Sequence, residues 1–245
     1  MSYFKIQYKM YIHFYNYSKN EFGGSKEERK QEMSNGSIIN LSIEANIGGG
    51  KSTLGRTLAE RYPEVFNLIP EPVDALERTG ILKAYYDDKQ RWAAILQNFV
   101  LIARIISHRD HKKHGVINLI DRSIMGDKNV FAKMLIEDGM MNDIEVAVYN
   151  EYHKLVGMDD VPTLYVYIRT PVDVCIERIA KRGRASETTI PKEYLQKIHD
   201  LHETWMETIH PSNILILDGT QSVDQLVDQV YKTYSRLVRP KIKDE

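Results

Sequence analysis

The chain has 245 residues, 33 Lys and Arg against 34 Asp and Glu, and a formal net charge of −1. That length suits one domain with a sizeable core, and the charge supplies no global positive field to hold a nucleic-acid polymer or an anionic membrane surface. A single cysteine, Cys175, excludes an internal disulfide framework or a cysteine metal cluster, and no apolar run approaches the roughly 20 residues a membrane-spanning helix requires. The expected location is cytoplasmic, with mitochondrial import as a minor alternative. That alternative rests on residues 1–36, which carry no acidic residue before Glu21 and are rich in Tyr, Lys, Asn and Ser without helical or strand period. They read as a disordered tail ahead of one domain over 37–245, and Met33 is an alternative start.

From Ser37 onward, short apolar runs alternate with longer helical patterns, as in a parallel sheet flanked by helices. Strands are predicted over Ile38 to Glu44, Phe66 to Pro70, Val116 to Asp121, Thr163 to Arg169 and Asn213 to Asp218. Helices are predicted over Lys51 to Arg61, Asp88 to Lys113, Gly126 to Gly157 in one or two pieces, Pro171 to Arg182, Pro191 to Ile209 and Val223 to Leu237. In open α/β sheets ligands bind beyond the carboxyl ends of the strands, and here those ends run into a Gly-rich loop, Pro70-Glu71-Pro72, Asp121-Arg122-Ser123 and Arg169-Thr170-Pro171.

The loop E-A-N-I-G-G-G-K-S-T (Glu44 to Thr53) lies between a strand and a helix. In that setting the backbone of Asn46, Ile47, Gly48, Gly49 and Gly50 can wrap a phosphate chain at a helix N-terminus, with Thr53 in its first turn. Lys51 would reach the β- and γ-phosphates and Ser52 would ligate Mg²⁺. The phosphate-loop pattern has Gly where this chain has Ala45, so the loop is expected to start in a conformation without positive φ. Glu71 is a candidate general base for an attacking hydroxyl. Asp121 is a candidate for orienting Mg²⁺ or its waters, and Arg122 for binding phosphate or the acceptor hydroxyl. Arg178 and Arg182 share a helix face, and Gly183 frees Arg184 beyond the helix end. These three arginines read as a lid that neutralises charge on a transferred phosphoryl group.

Taken in order, I-E-A-N-I-G-G-G-K-S-T, P-E-P-V, Y-Y-D-D-K-Q-R-W, Q-N-F-V-L-I-A-R, D-R-S-I-M-G-D and R-G-R-A-S-E-T-T-I-P-K-E-Y resemble the cellular and viral deoxynucleoside kinases over about Ile38 to Asp218. The resemblance implies an α/β P-loop kinase with a five-stranded parallel sheet, surrounding helices and an arginine-rich lid. It further implies 5′-phosphorylation of a deoxynucleoside with ATP and Mg²⁺, in a homodimer formed through helices. It assigns Glu71 as base, Arg122 to the 5′-hydroxyl side, Tyr86 and Glu187 to the sugar 3′-hydroxyl and Gln97 to the edge of the base. Arg104 and Asp127 match a pair found in members that favour deoxycytidine or purine deoxynucleosides over thymidine. Val100 is bulkier than the usual residue of deoxycytidine-type members, Leu76 stands where an aromatic is usual, and Phe131 is either core or a platform for the base.

His108, His111 and His114 recur every three residues among cations, which reads as a solvated helix end rather than a metal site. Cys175, Tyr85 and the Met140-Met141 pair read as packing. Of the rivals, a nucleoside monophosphate kinase would need a basic residue near Glu71 to hold its acceptor phosphate. A non-catalytic subunit would have lost the loop lysine, the base or the arginines. A GTPase-type switch would need Asp-x-x-Gly and Asn-Lys-x-Asp motifs, and neither occurs.

Overall fold

The computed structural model describes residues 38–156, 161–183 and 190–238. The expected tail over residues 1–36, Arg184 and Glu187 lie outside the described residues. The central strand, β1 (Ile39–Ala45), alternates Leu41, Ile43 and Ala45 with Asn40, Ser42 and Glu44, and both sets are buried. Such alternation ordinarily marks a half-solvated strand, but here the polar set finds protein partners. Glu44 Oε1 accepts hydrogen bonds from the Ser42 hydroxyl (2.6 Å), the Ser123 N–H (3.0 Å) and the Ser123 hydroxyl (2.7 Å), and His108 pairs with Asn40 Oδ1 at 3.2 Å. The apolar set packs with Leu54, Leu58, Leu226 and Val230 in the largest core.

The remaining elements follow in chain order: α1 (Lys51–Arg61), β2 (Phe66–Ile69), α2 (Val73–Thr79), α3 (Ile81–Asp87), α4 (Lys89–His111) and β3 (Ile117–Asp121). Next come the single turn α5 (Ile124–Gly126), a π-helical turn (Asp127–Ala132), α6 (Lys133–Glu137), α7 (Asp143–Lys154) and β4 (Leu164–Arg169). The chain continues through α8 (Val172–Arg182), α9 (Lys192–Met206), β5 (Ile214–Asp218) and α10 (Val223–Tyr234). All strand pairs are parallel, in the order β2-β3-β1-β4-β5. Ile43 is in register with Asp121 on one side of β1, and Ala45 with Ile168 on the other. Three chemically loaded strand ends therefore meet around the loop that follows β1.

The five predicted strands and the helices at α1, α4, α8, α9 and α10 lie where the apolar periodicity puts them, within a few residues at their ends. One stretch carries helices that the periodicity does not predict. The stretch after Pro72 carries two short helices, α2 and α3, separated at Gly80 with φ 70° and burying Leu76, Ile81 and Tyr85. Each has seven residues, too few for the 3.6-residue period to stand out. The helix predicted from Gly126 in one or two pieces has two, the continuous π-helical turn and α6 and then α7, with Asn142 and Glu145 forming a capping box that restarts the chain.

His108 corrects the reading of a solvated helix end, since it is buried against β1. Among the described residues, no group of three or more His, Cys, Asp or Glu side chains could hold a metal ion, and no helix is long and apolar enough to cross a membrane. Cys175 and Met141 are core residues as expected.

Gly126 packs directly on the Glu44 carboxylate, and an added Cβ would lie 2.9 Å from Glu44 Cδ. Gly126→Ala must displace a buried carboxylate from its donors and should cost about 2 kcal/mol. The expected result is a lower urea midpoint with an unchanged slope.

Candidate active site

The loop after β1 opens with Ala45 fully buried, and the only described non-glycine residue with positive φ is Arg122, so Ala45 fits its position without strain. Its methyl constrains the next turn instead: a Cβ on Gly49 would lie 2.6 Å from Ala45 Cβ. Gly50, with φ 104°, turns the chain into the N-terminus of α1. Asn46 is tied up structurally, its amide donating to Leu195 O (2.8 Å) and its Oδ1 accepting from Ile47 N (2.8 Å). Asn46 therefore anchors the loop to α9. On the other side of the loop, the Thr170 hydroxyl donates to Gly49 O (3.1 Å), and Arg178 Nη2 donates to Gly219 O (2.9 Å).

Two cavities meet at this loop. One, of about 380 Å³, is lined by Gly48 to Leu54, Arg178, Lys181 and Arg182, and by Gly219, Gln221, Val223 and Leu226 beyond β5. The other, of about 320 Å³, lies over the ends of β2 and β3 and includes Glu71, Tyr86, Gln97, Val100, Arg104, Asp121, Arg122, Asp127 and Phe131. Gly48, Lys51, Ser52 and Arg182 line both. Ile47 lines the second cavity rather than the phosphate side. Arg178 lines only the first, so of the described lid arginines Arg182 alone borders both spaces.

Charges concentrate at the wall of the second cavity. Arg104 reaches it from α4 and is buried, donating through Nη2 to Glu71 Oε1 (2.7 Å), through Nε to Asp127 Oδ2, and through Nη1 to the carbonyls of Asp121 (3.1 Å) and Arg122 (2.9 Å). A longer contact joins Nη2 to Asp127 Oδ1 at 3.4 Å. Arg122 Nε lies 3.7 Å from Glu71 Oε1, its Nη2 donates to Ala45 O (3.1 Å), and its guanidinium lies 4.3 Å from the Phe131 ring centroid. Phe131 is half-buried. The positive φ of Arg122, 64°, is a conformation that L-residues adopt at a cost, and Ser123 holds it in place through its bonds to Glu44.

Burial alone would push the Glu71 carboxyl up, but Arg104, Lys51 and Arg122 outweigh it and bring it to about 2. Lys51 is lowered, chiefly by burial and then by Arg122, against the pull of Asp121, Glu71 and Glu44. Asp127 is raised by burial, with Arg104 and Arg122 opposing.

Three buried polar atoms in this cavity have no protein partner: Asp121 Oδ1, Arg122 Nη1 and Gln97 Oε1. Such groups are rarely left unsatisfied, which marks them as places where a ligand bonds. Asp121 Oδ1 and the Ser52 hydroxyl are hard oxygens bordering the same space, the donor set that fits Mg²⁺, a cation usually held by one or two protein ligands together with substrate phosphates.

Several lining residues escaped the reading of the sequence, among them Arg56, Leu82 and Tyr194. Tyr194 shares a hydrogen bond with the buried Tyr85. Its signal was available in the P-K-E-Y run, whereas Arg56 shows nothing beyond its place one turn after Ser52. Leu76 is buried and borders the cavity as an aliphatic wall.

A parallel sheet of this order, with a phosphate-binding loop after its central strand and a second cavity meeting the first at the loop lysine, defines a P-loop phosphotransferase. Residues 41–239 match the family model described as deoxynucleoside kinase. The chain is 32% identical over 219 residues to a chicken protein named deoxycytidine kinase 2, covering 73% of this chain and 81% of that one. It is 35% identical over 170 residues to a probable deoxycytidine kinase of fowlpox virus (68% and 71% covered). It is 28% identical over 222 residues to the human mitochondrial protein named thymidine kinase 2 (87% and 82% covered). The chain belongs to the deoxynucleoside kinase family and is a phosphotransferase acting on nucleosides, with ATP as the donor that membership of a kinase family implies.

Thr170→Val removes the donor to Gly49 O while nearly keeping shape. A bond of this kind contributes about 1 kcal/mol, so the KM for ATP should rise about fivefold with the nucleoside KM unchanged. Initial-rate kinetics with each substrate varied in turn check this.

Proposed function

We propose that the protein transfers the γ-phosphoryl group of ATP to the 5′-hydroxyl of a deoxynucleoside for nucleotide salvage. The observation that carries the reading is the meeting of two cavities at Lys51 and Ser52, one beside the phosphate loop and one holding Glu71 and Arg122. The 5′-oxygen attacks the γ-phosphorus in line, its proton passes to a Glu71 carboxylate oxygen, and the bond to ADP breaks. Lys51, Arg178, Arg182 and Arg184 balance charge on the moving group, and Arg122 holds the acceptor end. Mg²⁺, held by Ser52 and the free oxygen of Asp121, would supply charge neutralisation between the β- and γ-phosphates. Asn46 and Ile47 shape the phosphate loop, and Gly48 to Thr53 cradle the donor.

Within the acceptor cavity, Tyr86 faces the sugar, Phe131 and Val100 bound the base, and Gln97 reads its edge; Glu187 joins Tyr86 at the sugar 3′-hydroxyl by the family resemblance alone. An amide both accepts and donates, and Asp127 adds an acceptor for an exocyclic amino group. That donor and acceptor pattern favours deoxycytidine, deoxyadenosine or deoxyguanosine over thymidine. A monophosphate acceptor is disfavoured because Glu71 would face its phosphate. The catalytic unit is taken as residues 37–245, with residues 1–36 an appended tail, in a cytoplasmic enzyme.

A homodimer is part of the same proposal. Ile95, Ile102 and Ile106 of α4 and Ile144, Val148 and Tyr152 of the adjoining α7 are exposed apolar side chains, and Leu155 continues them past the end of α7. Such a stripe on two neighbouring helices fits burial against its own copy. The double variant Ile102→Glu/Leu155→Glu should elute as a folded monomer on size exclusion, where the parent elutes as a dimer. A parent that elutes as a monomer would remove this part of the reading.

The direct test incubates the protein with γ-labelled ATP, Mg²⁺ and each of the four deoxynucleosides or their monophosphates. Label should pass to deoxynucleosides and not to monophosphates, least to thymidine. Glu71→Gln should lower turnover by at least about 100-fold while leaving ATP binding intact. Loss of ATP binding instead would mean that Glu71 serves the donor.

A further inference from the structure

Arg56 is a cation of the acceptor cavity that the transfer step leaves unused. It stands four residues after Ser52 on α1, hence on the same helix face, and helical side chains lean toward the N-terminal end of their helix. Its exposed side chain lines the cavity that holds Glu71 and Arg122, but not the cavity beside the phosphate loop. The other cations of the acceptor cavity are engaged or shared. Arg104 donates to Glu71, Asp127 and two backbone carbonyls, Arg122 donates to Ala45 O, and Lys51 and Arg182 border both spaces. Among the described residues, no hydrogen bond, ion pair or ring contact engages Arg56. Glu77 of α2 lines the same cavity without pairing with it.

Charge decides what such a side chain can bind. A deoxynucleoside is uncharged at its 5′ end, and the phosphates of ATP belong to the other cavity, so neither substrate offers Arg56 a counterion. Once the phosphoryl group has moved, the acceptor cavity holds a phosphate monoester carrying about −1.5 to −2 charge at pH 7. That charge faces the Glu71 carboxylate, which repels it. Resting on the proposed function, we propose that Arg56 is a product-binding residue, which pairs with the 5′-phosphate of the deoxynucleoside monophosphate and offsets the repulsion from Glu71. A guanidinium matches a phosphate as a bidentate donor. Arg56 then contributes nothing to the affinity for nucleoside or ATP, and it sets how tightly the product inhibits. The unpartnered Arg122 Nη1 and Lys51 border the same space, so loss of Arg56 weakens the hold without abolishing it. Because Arg56 is exposed, its pairing is screened by salt.

The test titrates deoxycytidine, deoxycytidine 5′-monophosphate and ATP calorimetrically into the parent, Arg56→Gln, Arg56→Lys and Glu77→Gln. Product inhibition with deoxycytidine varied is measured on the same four proteins. Arg56 lies on the surface, so its replacement leaves the core intact. Arg56→Gln should raise both Kd and Ki for the monophosphate about tenfold, the loss expected for one charge-assisted pair. Deoxycytidine and ATP should bind as to the parent. Arg56→Lys keeps the charge without the planar fork and should fall between the two. Raising the salt should weaken monophosphate binding more in the parent than in Arg56→Gln. Unchanged monophosphate affinity in Arg56→Gln, or an equal loss for deoxycytidine, would overturn the proposal. So would a matching loss in Glu77→Gln, which would show that the two side chains pair across the cavity instead. A parent that transfers label to no deoxynucleoside would sink the proposed function itself, a result separate from the titrations.

Discussion

The acceptor side of this protein depends on one buried guanidinium. Arg104 ties together the end of β2 through Glu71, the end of β3 through two backbone carbonyls and the π-helical turn through Asp127. A buried charge is tolerated only where its partners are in place, so the position of each of these elements is conditional on the others. The π-helical turn fits this arrangement, since an extra residue in a helical turn re-aims the side chains on it, and Asp127 is the first residue of that turn.

The donor side is fixed by backbone rather than charge. β1 sits between β3 and β4, and its loop is pinned on one flank by Asn46 to α9 and on the other by Thr170 to Gly49. Ala45 at the head of the loop shows how a local departure is absorbed. Its methyl fills space against Gly49, so the demand for a side-chain-free position passes four residues along rather than disappearing. Glu44, one residue earlier, faces the opposite way and holds Ser123, which in turn holds Arg122 at its positive φ. A single strand thus braces both halves of the site through alternate side chains.

Legibility in the sequence followed how local each signal is. Strand ends, the phosphate loop and the helix stop at Gly183 follow from nearest-neighbour chemistry, and each lies where the residues imply. The two seven-residue helices after Pro72 are too short to show a period, and the burial of His108 depends on Asn40, 68 positions away. Arg104 is the instructive case. The resemblance assigns it with Asp127 to the base, but its bonds to Glu71 and to the carbonyls of residues 121 and 122 can be known only once those residues are brought around it. Asn46 is similar, a loop residue whose side chain turns away to anchor the fold.

The central claim is that donor and acceptor occupy two spaces that meet at Lys51 and Ser52. The most direct measurement is calorimetric titration with a bisubstrate analogue in which deoxycytidine is joined through its 5′-oxygen to the terminal phosphate of an adenosine polyphosphate. Simultaneous occupation should make it bind at least about 100-fold tighter than either ATP or deoxycytidine alone, one molecule per chain. Binding no tighter than ATP, with free deoxycytidine still able to bind beside it, would contradict the account.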